Sequence, residues 1–176
     1  MRRYQRVYVP GACYFFTVNL ARRRGNDWLV RYVAILREAV AVTRRHHPFA
    51  IHAMVVLPDH LHALWQLPDD DPDFSKRWRL IKARFARAVP EPATPNRSRM
   101  RRGERPVWQR RFWEHVIRDA RDWHMHMDYI HYNPVKHGYV ERAIDWPYSS
   151  FHHHLRAGRY EPEWGATRAV QDMDLG

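Results

Sequence analysis

Cysteine is nearly absent: the 176 residues hold one, Cys13. That excludes an intrachain disulfide and any multi-cysteine zinc site, fits a reducing compartment, and leaves Cys13 a structural role. Long apolar runs are missing too, and no stretch reaches the roughly 20 residues that a membrane-crossing helix needs. The basic start Met1-Arg2-Arg3-Tyr4-Gln5-Arg6 is followed by a segment that Pro10 and Gly11 interrupt, so no signal-peptide core forms. A soluble cytoplasmic protein is expected, nucleoid-associated if it works on DNA, with no membrane partner. No repeat recurs at a fixed period, and the tract His152-His153-His154 is a surface metal scavenger or nothing. Acidic residues are also in short supply, 19 Asp and Glu against 30 Lys and Arg, which leaves a formal charge of +11.

That excess creates a positive potential that attracts polyanions, with nucleic acid first among them. Eight Trp, nine Tyr and seven Phe accompany it. Aromatic rings beside cations suit unpaired bases, although filling a core is the commoner fate of such rings. The length and the 45% hydrophobic content suit one domain. Residues 1–155 are assigned to it and 156–176 to a C-terminal tail that wraps over it.

Cys13 to Leu20, aromatic and β-branched, reads as a first strand, followed by the basic turn Arg22-Arg23-Arg24. Apolar positions recur at helical spacing from Trp28 to about Arg45, with Asp27 as N-cap. Ile51 to Leu57 and Leu61 to Leu67 read as a hairpin joined at Pro58-Asp59. Phe74 to Val89 reads as a helix with Trp78, Ile81 and Phe85 inward and basic residues, Arg77 among them, around the rest. Residues 90–106 form a basic loop bearing Arg97, Arg99, Arg101, Arg102 and Arg105, either a phosphate-binding arm or an inert insert. A strand near Phe112 to Val116 precedes a helix capped by Asp119 that runs from Ala120 to Tyr132 and stops before Asn133-Pro134. This order gives an α+β fold, a ferredoxin-like antiparallel sheet with helices on one face and an added C-terminal helix. The other face is left open for nucleic acid.

His60-Leu61-His62 opens the hairpin's second strand, where a period of two aims both imidazoles at one face. Such a pair makes a divalent-metal clamp, or simply two polar residues on a solvated face. Tyr129 and Asn133 lie four apart at the end of the last helix and share a face. If that face meets the histidines, Asn133 completes a three-ligand metal site beside a tyrosine able to attack phosphorus. Two imidazoles and an amide suit Mg²⁺ or Mn²⁺ better than a closed zinc site. Tyr132 is a weaker nucleophile because Pro134 intervenes before its fourth-residue neighbour Lys136. His115, His131 and His137 are the candidates for a general base.

Five blocks carry a family resemblance: Tyr14 to Asn19, Val55 to His62, Trp108 to His115, Asp128 to Gly138 and Asp145 to Ser150. In this order, over about residues 4 to 155, they resemble the REP-associated tyrosine transposases, relatives of the single-tyrosine HUH transposases of single-stranded DNA. The resemblance implies that His60 and His62 are HUH metal ligands, Asn133 the third ligand and Tyr129 the catalytic nucleophile. It implies cleavage of single-stranded DNA at REP-type palindromic hairpins, through a 5′-phosphotyrosine, with release of a 3′-hydroxyl. The arginine-rich loop is longer than that pattern leads one to expect. Arg22, Arg23, Arg24, the five loop arginines and Lys136 are the candidate phosphate contacts. One nucleophile per chain permits cleavage by a monomer, whereas exchange of two ends favours a homodimer. A hairpin-binding protein that does not cut, and a hydrolase of small phosphoesters, are the competing readings.

Overall fold

Strand β1, Cys13–Asn19, sends Tyr14, Phe16 and Val18 to one buried face and Phe15 and Thr17 to another. In the computed structural model, which describes residues 6–90 and 107–175, β1 is a central strand. It pairs antiparallel with β3 (His60–Gln66) and β4 (Trp113–Val116), and β3 pairs antiparallel with β2 (Ala50–Val56). The order β2-β3-β1-β4 matches the ferredoxin-like arrangement expected from the sequence. The loop arginines Arg97, Arg99, Arg101, Arg102 and Arg105 lie outside the described residues.

The first face carries α2 (Val33–His46) and α3 (Phe74–Ala88). Leu36, Ala39 and Val40 of α2 and Trp78, Ile81 and Phe85 of α3 pack on Phe16, Leu61 and Trp65, and the Trp65 and Trp78 rings stack at 4.2 Å. The predicted single helix from Trp28 is broken at Tyr32, so α1 is only Trp28–Arg31. Asp27 does not cap it; the neighbouring Asn26 accepts the Trp28 N–H at 3.0 Å, while Asp27 pairs with Arg31. Asp73 caps α3 through the Lys76 N–H. Arg77 overturns its expected place on the solvated side. It is fully buried and donates to the carbonyls of His47, Pro48, Asp71 and Asp73, tying the end of α2 to the start of α3.

The second face is not open. Helix α4, Ala120–Lys136, lays Met127, Tyr129 and Ile130 on Phe15, Val55 and Leu64. After a 3-10 turn at Ala143–Asp145, α5 (Phe151–Arg156) and α6 (Arg168–Gln171) follow, and Ala166 and Val170 close the same cluster. Asp119 caps α4 as predicted, accepting the Asp122 N–H at 2.8 Å. The helix does not stop at Tyr132 but continues through Pro134. Proline removes one donor, but Asn133 and Pro134 are both buried, and their carbonyls accept the His137 and Tyr139 N–H groups. Gly138, at φ +70°, reverses the chain, and its N–H bonds the Val135 carbonyl, completing a Schellman motif. Among the described residues, no helix is long and apolar enough to cross a membrane.

Candidate active site

The two imidazoles stand on one face of β3, as the strand period predicts, with ring centroids 5.1 Å apart. Both are buried, His60 to 1% exposure and His62 to 0%. Their hydrogen bonds fix which nitrogen carries the proton. Asp59 Oδ1 lies 2.6 Å from His60 Nδ1, and a carboxylate only accepts, so Nδ1 bears the hydrogen. Burial opposes charge on Asp59, but the hydrogen bonds from His60 and Arg23 prevail and hold its pKa at about 2. Arg23 Nε is committed to Asp59 Oδ2 at 2.8 Å, which makes the 3.4 Å approach of its Nη2 to His60 Nδ1 the weaker contact.

Thr17 does for His62 what Asp59 does for His60. Its hydroxyl donates to the Leu175 carbonyl at 2.8 Å, so it can only accept from His62 Nδ1 at 2.9 Å. Each Nε2 is left with its lone pair, and each is buried without a partner. Burial, followed by the charges of His60, His137, Arg23 and Lys136, holds the His62 pKa well below the usual histidine range, so its imidazole is neutral at neutral pH.

Tyr129 meets this pair from α4, its ring 5.3 Å from that of His62. Burial raises the phenol pKa, partly offset by the Leu175 N–H and by the nearby Asn133 amide. Leu175 N donates to the phenol oxygen at 3.3 Å. Lys136 Nζ sits 5.2 Å over the Tyr129 ring and donates to the Met173 carbonyl. Asn133 is fully buried one helical turn from Tyr129, and neither of its amide atoms makes a hydrogen bond of normal geometry. Leaving such groups unpartnered costs about 1–3 kcal/mol each, a cost that ligands of a bound cation do not bear. Two Nε2 lone pairs and a carboxamide are a donor set that a divalent cation with further open positions could use.

Some expected site residues lie elsewhere. His131 is fully buried in a network whose directions are determined: Met54 N–H to Ser150, Ser150 to His131 Nε2, His131 Nδ1 to Tyr160, and Tyr160 to Asp128. It therefore has no free nitrogen to act as a base. His115 Nε2 is bonded to Asp122, whereas the His137 ring lies 5.1 Å from that of His60. Tyr132 is half-buried against the second core cluster, and Arg22 and Arg24 are exposed. Sequence reading missed Thr17, Asp59, Asn19 and the Met173 to Leu175 segment. Asn19 pairs with His60 across the sheet and holds a buried, unpartnered Oδ1. Only Asp59, beside His60 in the chain, left a local signal.

A second group, His115, Asp122 and His126, brings ligand-type atoms within 4.8 Å of one another. Asp122 already accepts from His115, from the Arg118 N–H and from Arg118 Nε. The two imidazoles lie parallel, 16° apart at 4.7 Å, so their in-plane lone pairs reach a common ion only if one ring turns.

No family model matches the chain. It is 44% identical over 176 residues to the REP-associated tyrosine transposase of Escherichia coli, covering all of this chain and 97% of that protein. A Haemophilus influenzae relative carrying the same family name is 45% identical over 166 residues, 94% of each chain. A solved structure of a REP-associated tyrosine transposase bound to a REP hairpin superposes with a TM-score of 0.86 at 43% identity, covering 100% of this chain and 97% of that one. This chain belongs to the REP-associated tyrosine transposase family.

Proposed function

We propose that the protein is a metal-dependent single-stranded DNA endonuclease and strand transferase that cuts beside REP-type hairpins through Tyr129. The observation that carries this reading is the convergence of two buried, unpartnered Nε2 atoms with a tyrosine ring 5.3 Å from one of them. Family membership and a relative bound to a REP hairpin support the substrate class. His60, His62 and Asn133 would hold Mg²⁺ or Mn²⁺, which supplies Lewis acidity to a non-bridging phosphate oxygen.

Tyr129 Oη attacks phosphorus, the Oη–P bond forms and the P–O3′ bond breaks. The 5′-phosphate stays on the tyrosine, and the departing O3′ takes a proton and leaves as a hydroxyl. The phenol proton is released to solvent as Oη attacks and the departing O3′ takes one up in exchange, so the step is proton-neutral, and Lys136 above the ring stabilises the developing charge. Attack by a 3′-hydroxyl on the phosphotyrosine reverses the step or joins a different strand. Arg22, Arg23, Arg24 and the loop arginines supply phosphate contacts, so affinity falls with salt.

A REP-type hairpin with a single-stranded flank, incubated with Mn²⁺ or Mg²⁺ and run on denaturing gels, is expected to give a covalent protein–DNA adduct and a fragment ending in a 3′-hydroxyl. Tyr129→Phe abolishes the adduct; its persistence moves the nucleophile elsewhere. His60→Ala or His62→Ala abolishes metal-dependent cutting and leaves hairpin binding. A second reading, hairpin binding without cutting, is favoured by the Leu175 N–H seated on the phenol. Tight binding with no adduct in either metal identifies it.

A further inference from the structure

Two large rings are exposed, each linked to a different member of the histidine pair: Tyr139 at 43% and Trp113 at 40%. Each is one side chain removed from a histidine of that pair. Tyr139 lies 6.2 Å from His137, whose ring is 5.1 Å from His60. Trp113 lies 5.7 Å from Phe15, whose ring is 5.4 Å from His62. Strand register confirms the second path: Trp113 pairs with Thr17 and Thr17 with His62, so Trp113 stands two strands from His62 on the same face. At the usual strand spacing that is about 10 Å.

Both rings are held from behind. Tyr139 follows Gly138 in the Schellman motif that ends α4 and packs on Trp146 at 5.3 Å and 31°. Trp113 lies flat on His115 at 5.9 Å and 5°, and His115 is fixed by Asp122. A guanidinium belongs to the polar network behind each ring: Arg23, 40% exposed, pairs with Asp59, which holds His60, and Arg118, 73% exposed, pairs with Asp122, which holds His115. An exposed ring backed on one side, with a cation in the network behind it, is a surface on which an unpaired base stacks. Thr17, the cross-strand partner of both Trp113 and His62, bonds the Leu175 carbonyl, so Leu175 lies beside that path.

We propose that Tyr139 and Trp113 are stacking platforms for the unpaired bases on the two sides of the cleaved phosphodiester, so that the strand crosses the site from Tyr139 over His60 and His62 to Trp113. This rests on the reading of the site as one that nicks single-stranded DNA. It adds the path of the strand and two residues that hold it.

The test uses the full chain and a REP-type hairpin oligonucleotide with a single-stranded flank. Tyr139→Ala and Trp113→Ala each weaken binding of the flanked hairpin about 5- to 140-fold, the range expected for one lost stack. Tyr139→Phe and Trp113→Phe restore it, and affinity for the hairpin without its flank is unchanged in all four. Alanine variants that bind the flanked hairpin as well as the original chain, or that lose the bare hairpin equally, overturn the proposal. In the second arm the cut is mapped with the original chain. 5-Iodo-deoxyuridine placed on one side of that phosphate then crosslinks to Tyr139 in the Tyr129→Phe chain, and placed on the other side it crosslinks to Trp113. Crosslinks elsewhere, with cutting intact, overturn the platforms alone. Absence of any cut removes the nicking reading instead, and the affinity arm still decides the platforms because it needs no cleavage.

Discussion

Asp59 and His60 are chain neighbours whose side chains meet at 2.6 Å, although adjacent residues on a strand point to opposite faces. They can meet because Asp59 is still in the turn and His60 is the first residue of β3. The carboxylate fixes the His60 tautomer and leaves its Nε2 with the lone pair. Asp59→Ala is therefore expected to weaken Mn²⁺ binding by about 10- to 100-fold, as loss of an outer-shell partner does elsewhere. Titration calorimetry on the DNA-free protein reads this directly. Unchanged affinity removes the orienting role.

Leu175 bonds both halves of the site, giving its N–H to Tyr129 and its carbonyl to Thr17. Two such bonds are together worth about 2 kcal/mol. Deleting residues 172–176 is expected to raise the single-turnover rate of adduct formation by at least about tenfold. An equal or slower rate, with the fold intact by circular dichroism, shows that the segment does not restrain the tyrosine.

His131 makes stability depend on pH in a defined direction. Burial lowers its folded-state pKa to about 3, against about 6.5 when unfolded. Between these values the unfolded chain binds the extra proton, so this contribution is complete above pH 6.5 and is lost as pH falls toward 3. The slope is about 1.4 kcal/mol per pH unit within the window. Urea unfolding at pH 7, 5.5 and 4.5 is expected to be less pH-dependent in His131→Gln than in the original chain, though weaker at pH 7. Equal slopes place the acid sensitivity elsewhere.

Arg77 has its charge buried and gives its donors to four carbonyls and its charge to Asp71. Arg77→Ala is expected to cost about 3 kcal/mol in chemical denaturation, because those carbonyls lose their partner without gaining water. A loss under about 0.5 kcal/mol, the range of ordinary surface substitutions, contradicts this role.

The sequence made both half-sites legible because each depends on a short period: two residues along a strand for His60 and His62, four along a helix for Tyr129 and Asn133. Their meeting is a tertiary fact, and only the family resemblance joined them beforehand. Thr17 escaped notice because it reaches His62 through sheet register, 45 residues away, and Leu175 because it is 46 residues from Tyr129. The second sheet face looked open because α4 and the C-terminal residues were not assigned to one layer. Arg77 looked like solvated charge because helical periodicity does not reveal that the chain turns back over its guanidinium. Pro134 was taken as a stop, but the buried packing of Asn133 and Pro134 outweighs the missing donor.

His60 and His62 stand on β3, a central strand paired on both edges and covered on both faces, and Thr17, which orients His62, stands on the other central strand. Such strands open last in hydrogen exchange. Tyr129 is held instead by the Leu175 N–H, which reaches its phenol oxygen at 3.3 Å. The imidazole pair is thus preset like an anvil that keeps its shape, and the tyrosine ring is fastened to it by a latch. Unfastening that latch frees the phenol without first dismantling the histidine pair.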